Sequence, residues 1–506
     1  MPFDPFPARG GLKRLVAATR RRAMHGGRLL LPARLRSDRP GPPNLLVLAI
    51  DTLRHDRLGF AGCPRRLTPA LDALAARGVQ FGDVTAPAPW TLPSFTSSLT
   101  GVMPLLHGAG LAGALRNLDR EPPRRYGGAP VTLATHLARQ GYRTAAFYAN
   151  PFVGFGLAET FADSHYHNLP AHEVTFLALE WIRRHADRPF FCFVLLNDPH
   201  EPTTPSQARL APRLVDPGYR AAGGPPAPTR DRLRALARWG DPDRGVPHLG
   251  RCSSPPDDAA RADLALKLAL YDACVVAADA AAGGAVDQLA AWGLDRNTLV
   301  TVYSDHGEEF LEHLEPSRRW NHDPRGLHGI GHGHAQFQEV LHVPWLAAGP
   351  GVIPGARVET PVSLCDVAPT LCDWLGVAPL PLSAAASALT GRSLAPLAAG
   401  RAAPDPDRLV LAEEIAYGPD LIAARRGPWK LIATRDGRPL ALFDLATDPD
   451  ETRDLKDERT TIADELLAAA EVLNRSANRG GAPASGEWED VADKVRRQLR
   501  ELGYSD

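Results

Sequence analysis

Asn44-Leu45-Leu46-Val47-Leu48-Ala49-Ile50-Asp51 is an apolar run of six residues that ends on a carboxylate. A run this short, with no period-two alternation, predicts a strand buried on both faces, as in parallel sheets covered by helices. Tyr142–Tyr148, Phe190–Leu196 and Thr298–Tyr303 read the same way. Helical stretches lie between the runs: Thr68–Arg77 stopping at Gly78, Thr132–Gln140, and a long one over Ala262–Trp292 stopping at Gly293. Strands alternating with helices make an α/β sheet. In such sheets ligands bind beyond the carboxyl ends of the strands, so the residues just past each run are the ones to inspect. They are Asp51, Asn150, Asp198 with His200, and Asp305 with His306.

Outward from this core, residues 1–43 are basic and broken by Pro and Gly, and predict a flexible arm, either solvated or touching an anionic membrane surface. The catalytic unit is expected over 44–400, with a Pro/Arg/Gly-rich insertion at about 201–261. Residues 401–475 predict a small antiparallel unit with strands at Leu409–Ala412, Leu421–Ala424, Trp429–Ala433 and Leu440–Asp444, and 476–506 a linker and terminal helix. The chain has 506 residues, 44% of them hydrophobic, enough for a large core. Its formal charge of −1 gives no overall electrostatic case for binding nucleic acid. Six cysteines without CxxC spacing predict reduced thiols and no structural zinc. Arg20-Arg21-Arg22 is followed by no apolar signal core, and no stretch reaches membrane-spanning length, so a cytoplasmic location is expected.

Chemistry concentrates in three places. Trp90-Thr91-Leu92-Pro93-Ser94 sets a hydroxyl at a helix start, with Gly101 as the stop. There Thr91 is either a simple cap or a nucleophile in an anion-favouring environment. Asp51 and Ser304-Asp305-His306-Gly307-Glu308-Glu309 both follow strands, and two carboxylates, an imidazole and the Thr91 oxygen suit a hard divalent cation. Each residue singly also reads as a turn former or cap. His322-Asp323-Pro324-Arg325-Gly326-Leu327-His328-Gly329-Ile330-Gly331-His332-Gly333-His334 interleaves imidazole with glycine, and is either an irregular loop or the source of a general acid, His332 or His334.

From Asn44 to about Leu455 these pieces resemble the sulfatase family of the alkaline-phosphatase superfamily. The resemblance is carried by Asp51-Thr52-Leu53-Arg54, Thr91-Leu92-Pro93-Ser94 with Leu99-Thr100-Gly101, Asp198-Pro199-His200 and Tyr271-Asp272. It continues through Ser304-Asp305-His306-Gly307-Glu308, Gly331-His332-Gly333, Val343-Pro344, Asp366-Val367-Ala368-Pro369-Thr370-Leu371, Trp429-Lys430-Leu431 and Leu442-Phe443-Asp444-Leu445. It implies a large mixed, mainly parallel sheet flanked by helices, with a small C-terminal antiparallel subdomain. It also implies one divalent metal (Mn, Ca, Mg or Zn) on Asp51, Thr91, Asp305 and His306, with Thr91, His200 and His332 catalytic. Asn150, Asp198 and His334 are expected at the substrate. The chain departs from the sulfate-ester branch: Thr91 stands where formylglycine arises from Cys or Ser, Phe95 where an Arg is usual, and Thr52 in place of a second carboxylate. Tyr148 and Asn150 replace a lysine-histidine pair.

The expected activity is metal-dependent hydrolysis of sulfuric or phosphoric esters, phosphodiesters or phosphonate esters, through covalent Thr91 without formylglycine. The substrate is a small molecule or a glycan or lipid head-group ester. Two other readings stand beside it, a phospho-group transferase and a binding protein that kept the fold and lost the chemistry. A metal assay and an aryl-ester panel separate the last from the first.

Overall fold

The computed structural model describes residues 41–111, 115–202, 229–382 and 387–477. Nearly all of the basic arm, Arg213 and Arg220 of the insertion, and the terminal helix lie outside these residues. In chain order the strands are β1 (Asn44–Ile50), β2 (Val79–Thr85), β3 (Leu115–Asn117), β4 (Arg143–Tyr148), β5 (Asp163–Tyr166), β6 (Phe190–Leu196), β7 (Thr298–Tyr303), β8 (Glu309–Phe310) and β9 (Ile330–Gly331). They continue as β10 (His342–Ala348), β11 (Ala356–Val358), β12 (Val362–Ser363), β13 (Val410–Ala412), β14 (Tyr417–Pro419), β15 (Leu421–Arg426), β16 (Trp429–Thr434) and β17 (Pro439–Asp444).

A nine-stranded sheet has the order β11-β2-β10-β7-β1-β6-β4-β5, with β12 also on β2. β1 lies between β6 and β7, parallel to both. Both its faces are covered, which is why its sequence shows no polar alternation. Leu46, Leu48 and Ile50 pack into one core with the helices Pro69–Ala76, Ala171–His185 and Asp258–Trp292. Leu45, Val47 and Ala49 pack into the other, with Phe95 and Leu99 of the Thr91–Thr100 helix and with Leu371 of Val367–Leu375.

The other half of the sheet was not legible strand by strand. β10 runs antiparallel to β7 and to β2. Pro344 reads as a strand breaker, and the ladder accommodates it with a register shift between Val343 and Trp345. The insertion is also more regular than its composition suggests. It holds the Arg230–Leu236 helix, and the long helix starts at Asp258 with Asp257 accepting from Ala260 N at 2.7 Å, ahead of the expected Ala262.

β13, β15, β16 and β17 form a separate antiparallel sheet. One of its faces packs Ile422, Leu431 and Leu442 on Ala463, Leu466 and Ala470 of the Thr460–Ala470 helix. The other packs Leu421, Ile432 and Phe443 on Phe337. The helix Val472–Ala477 runs slightly past residue 475, where a linker was expected. No described helix is long and apolar enough to cross a membrane.

Candidate active site

The Thr91–Thr100 helix is wholly buried, so each of its hydroxyls needs a partner. Thr96 and Thr100 donate to carbonyls four residues back, at 2.7 and 2.6 Å, and Ser98 donates to Phe95 O. Ser97 meets His107 Nε2 at 3.0 Å, and Ser94 donates to Asp305 O at 2.7 Å, tying this helix to the loop after β7. Thr91 is different. It is the first helical residue rather than the cap, which is Trp90, and no side chain caps this end. Its Oγ1 receives Asn150 Nδ2–H at 3.0 Å and lies 3.4 Å from His306 Nε2.

Asn150 follows β4 and also donates from Nδ2 to Asp51 Oδ2 at 2.8 Å, while its Oδ1 accepts from Phe152 N. One amide therefore spaces the Thr91 oxygen from the Asp51 carboxylate. Asp51, Asp305 and His306 are completely buried, with ligand atoms all within 4.8 Å of one another. His306 Nε2 is 3.2 Å from Asp305 Oδ2 and 3.5 Å from Asp51 Oδ1. These approaches are not aligned as hydrogen bonds: Asp51 Oδ1 and both Asp305 oxygens have no hydrogen-bond partner.

Burial first, then the neighbouring Asp305 charge, pushes the Asp51 carboxyl up to about 8. Burial pulls His306 down, but Asp305 and Asp51 outweigh it and lift the imidazole to about 9. The site demands positive charge. His306 Nδ1 sits 3.0 Å from Gly307 O, a pure acceptor, which assigns the proton to Nδ1 and turns Nε2 towards the three oxygens. Buried carboxylate oxygens without donors, facing such an imidazole, fit a divalent cation.

The loops carrying these groups are stapled together. Thr52 is held at φ 55°, a left-handed conformation unusual for a β-branched residue. Tyr271 Oη donates to Thr52 O at 2.6 Å and accepts from Arg54 N at 3.0 Å, and Ser304 Oγ accepts from Leu53 N and donates to His306 O, both at 2.8 Å. Sequence reasoning gave Tyr271 and Ser304 no role, because their contacts with the Thr52–Arg54 segment bridge more than two hundred residues.

His200 and His332 complete the cluster, with ring centroids 4.9 Å apart, and the His332 ring lies 4.4 Å from that of His306. Burial brings His200 down to about 4, and burial with the surrounding imidazoles holds His332 well below the ordinary histidine range. His200 Nδ1 donates to Glu201 O at 2.5 Å.

Other expectations shift. Asp198 Oδ2 accepts from Ala171 N at 2.6 Å, supplying the acceptor that Pro170 does not offer to the helix Ala171–His185, so it has a structural bond where a substrate contact was expected. His334 uses both nitrogens on protein, Nε2 with Glu309 Oε2 at 2.8 Å and Nδ1 with His332 O at 3.3 Å, where a substrate contact was expected. Asn150 holds the Thr91 hydroxyl itself. Phe95, where the family resemblance led to an Arg, faces the core, edge-on to Phe193.

Comparison with known proteins gives the family. The sulfatase family model matches residues 43–377. A choline-sulfatase of Rhizobium meliloti (strain 1021) is 26% identical over 482 residues, 85% of each protein, and arylsulfatase A of Bos taurus is 30% identical, covering 85% of this chain and 87% of its own. In fold, the phosphonate monoester hydrolase of Agrobacterium radiobacter superposes with a TM-score of 0.59 at 21% identity, covering 86% of this chain and 96% of its own. That from Silicibacter pomeroyi gives 0.62 at 20% identity, covering 87% and 96%. With the family model spanning more than half of its length, the chain belongs to the sulfatase family of the alkaline-phosphatase superfamily and is a hydrolase of sulfuric or phosphoric esters.

Proposed function

We propose that the protein hydrolyses sulfate, phosphodiester or phosphonate esters through a covalent adduct on Thr91. The observation that carries this reading is the Thr91 hydroxyl, singled out in a helix whose other hydroxyls are spent on protein partners and set against three unpartnered carboxylate oxygens. Asp51, Asp305, His306 and the Thr91 oxygen would hold one divalent cation, which when bound supplies the Lewis acidity that brings a hydroxyl's ionisation towards neutrality.

The chain's own groups do the rest. Asn150 Nδ2–H fixes the rotamer of Thr91, so its oxygen attacks sulfur or phosphorus from a defined side. The side-chain-uncapped amides at the helix start face the equatorial oxygens. Thr91 Oγ1, its acidity raised by the cation, would lose its proton to solvent water, and a bond then forms between that oxygen and the central atom. The anionic ester lifts the proton affinity of the two neutral rings beside it, so that each takes up a proton from solvent; the bond to the leaving oxygen then breaks with its electron pair, that oxygen takes the proton from His332, and His200 Nε2–H donates to the developing charge. Water then resolves the adduct and regenerates the hydroxyl.

The test is a panel of aryl sulfate, aryl phosphate, bis-aryl phosphodiester and aryl phosphonate with added Mn²⁺, Mg²⁺, Ca²⁺ or Zn²⁺. It is followed by rapid quench and peptide mass analysis. The expected result is one stoichiometric cation, turnover of at least one ester, and a sulfuryl or phosphoryl group on the peptide containing Thr91. A protein without stoichiometric cation that leaves the whole panel intact is a binding relic, and the hydrolase reading is then wrong.

A further inference from the structure

Beside the cluster described so far runs a two-stranded ribbon, β8 with β9, in which Glu309 pairs with Gly331 and Phe310 with Ile330. One step further in the same antiparallel register sets Glu308 opposite His332. Directly opposed residues project from the same face of a ribbon, within side-chain reach. The contact is made: His332 Nδ1 is 3.0 Å from Glu308 Oε1, with both residues buried. Glycine makes it possible on the histidine side. Gly331 and Gly333 flank His332 at φ 80° and 79°, a left-handed backbone that other residues rarely adopt.

The glutamate's backbone is held at both of its polar groups. Its backbone N–H donates to Glu339 O at 3.0 Å, and its carbonyl accepts from Arg54 Nη1 at 3.0 Å. A carboxyl fixed in this way holds the imidazole by one nitrogen and sets the plane of a ring that lies 4.4 Å from His306 and 4.9 Å from His200.

We propose that Glu308 is the positioning residue of His332, fixing through Nδ1 which edge of the ring is turned to the ester, so that cleavage of esters with poor leaving groups depends on a side chain that touches no substrate. The proposal rests on the reading of His332 as the proton donor to the leaving oxygen. The structure also contains its own control. Glu309–His334 joins the next glutamate to another histidine of the same loop through an equivalent bond of 2.8 Å, on the side that faces Leu421 and Ile432 of the C-terminal sheet.

The experiment compares kcat/KM for substituted phenyl sulfates and phenyl methylphosphonates, from 4-nitrophenol to phenol as leaving group, in the wild type, E308Q, E308D, E309Q, H332N and E308Q/H332N. The readout is the ratio between good and poor leaving groups, which does not depend on how much of each variant is folded. Proton donation contributes about 10²- to 10⁴-fold where the leaving oxygen needs it, so E308Q should lose on the order of 10² more on phenol than on 4-nitrophenol esters. E308D should recover part of that ratio, E309Q should leave it at the wild-type value, and E308Q/H332N should be no steeper than H332N alone. Equal losses by E308Q across the series, or a double variant steeper than H332N, overturn the positioning role. If H332N is itself flat, or the wild type hydrolyses neither series, the reading of His332 falls and takes this proposal with it. If H332N steepens the series and E308Q does not, only Glu308 is wrong.

Discussion

Glu308 and Glu309 stand at the border between two clusters that look alike in composition and differ in bonding. Asp51, Asp305 and His306 form one group able to surround a cation, and Glu309, His313 and Glu339 form another. In the first, Asp51 Oδ1 and both Asp305 oxygens are buried without a hydrogen-bond partner; in the second, Glu309, His313 and Glu339 have no such atom, and the neighbouring Glu451 Oε1, which has none either, faces Lys430 Nζ. His313 Nδ1 meets Glu339 Oε1 at 2.6 Å and His334 Nε2 meets Glu309 Oε2 at 2.8 Å. Nearby, Lys430 Nζ of β16 lies 2.7 Å from Glu451 Oε1, while Glu451 Oε2 accepts from Gln338 N at 2.6 Å. The second cluster is a joint between the two sheets. Two buried carboxylates that share one imidazole are costly by several kcal/mol, and the first group therefore fits a bound cation better than the second does.

The strongest way to break this contrast is Thr91→Ala. Removing one oxyanion donor costs about 10² to 10³ in turnover, and removing a covalent nucleophile costs more, so Thr91→Ala should fall by over ~10³ and His200→Ala by less, at nearly unchanged melting temperature. Equal, mild losses measured by steady-state kinetics would make covalent catalysis at Thr91 untenable. Lys430→Met inverts the pattern. It strands the Glu451 charge in the joint and should destabilise by about 3–5 kcal/mol in urea titrations, while turnover per folded molecule stays near that of the wild type.

Metal linkage sharpens the comparison at smaller amplitude. A cation bound only by the folded state at ~100 times its Kd adds about 2.7 kcal/mol. Scanning calorimetry of chelator-treated protein before and after Mn²⁺ should show that gain in the wild type and in Glu339→Gln, and its loss in Asp305→Asn. A shift lost in Glu339→Gln and kept in Asp305→Asn would reverse the assignment of the two clusters.

The sequence disclosed the open cluster better than the joint. Asp51, Asn150, Asp305 and His306 each follow a strand whose lack of charge is readable locally, and a parallel sheet brings all such ends to one edge. β10 hid behind Pro344, and β2 behind Gly82-Asp83, because a proline tolerated at a register shift looks like a break in one dimension. The joint depends on pairings such as His313 with Glu339, and Lys430 with Glu451, set by packing rather than by any local pattern. Asp198 shows how little the local signature separates. A carboxylate just beyond a strand carries the same local signature whether it serves a ligand or, as here, a neighbouring helix start.

The smallest effect concerns pH and is isolated at the joint by substituting His313. Burial pulls the His313 imidazole down, but the Glu339 hydrogen bond and charge outweigh it and lift it to about 9, above its ordinary 6.5. Between those values the folded chain binds the proton more tightly than the unfolded one. The stability from His313 is therefore full below about pH 6.5 and is lost as pH rises through 9. Glu339 acts in the same direction: burial first, with nearby carboxylates, raises it to about 7, so the folded state again holds the extra proton and loses that advantage as pH rises. The urea midpoint of the wild type should therefore decline from pH 6.5 to 9 more steeply than that of His313→Asn. Parallel profiles would mean that the joint is held by packing, with Phe337 stacked 3.7 Å from the His313 ring, and that its charges merely accompany that contact.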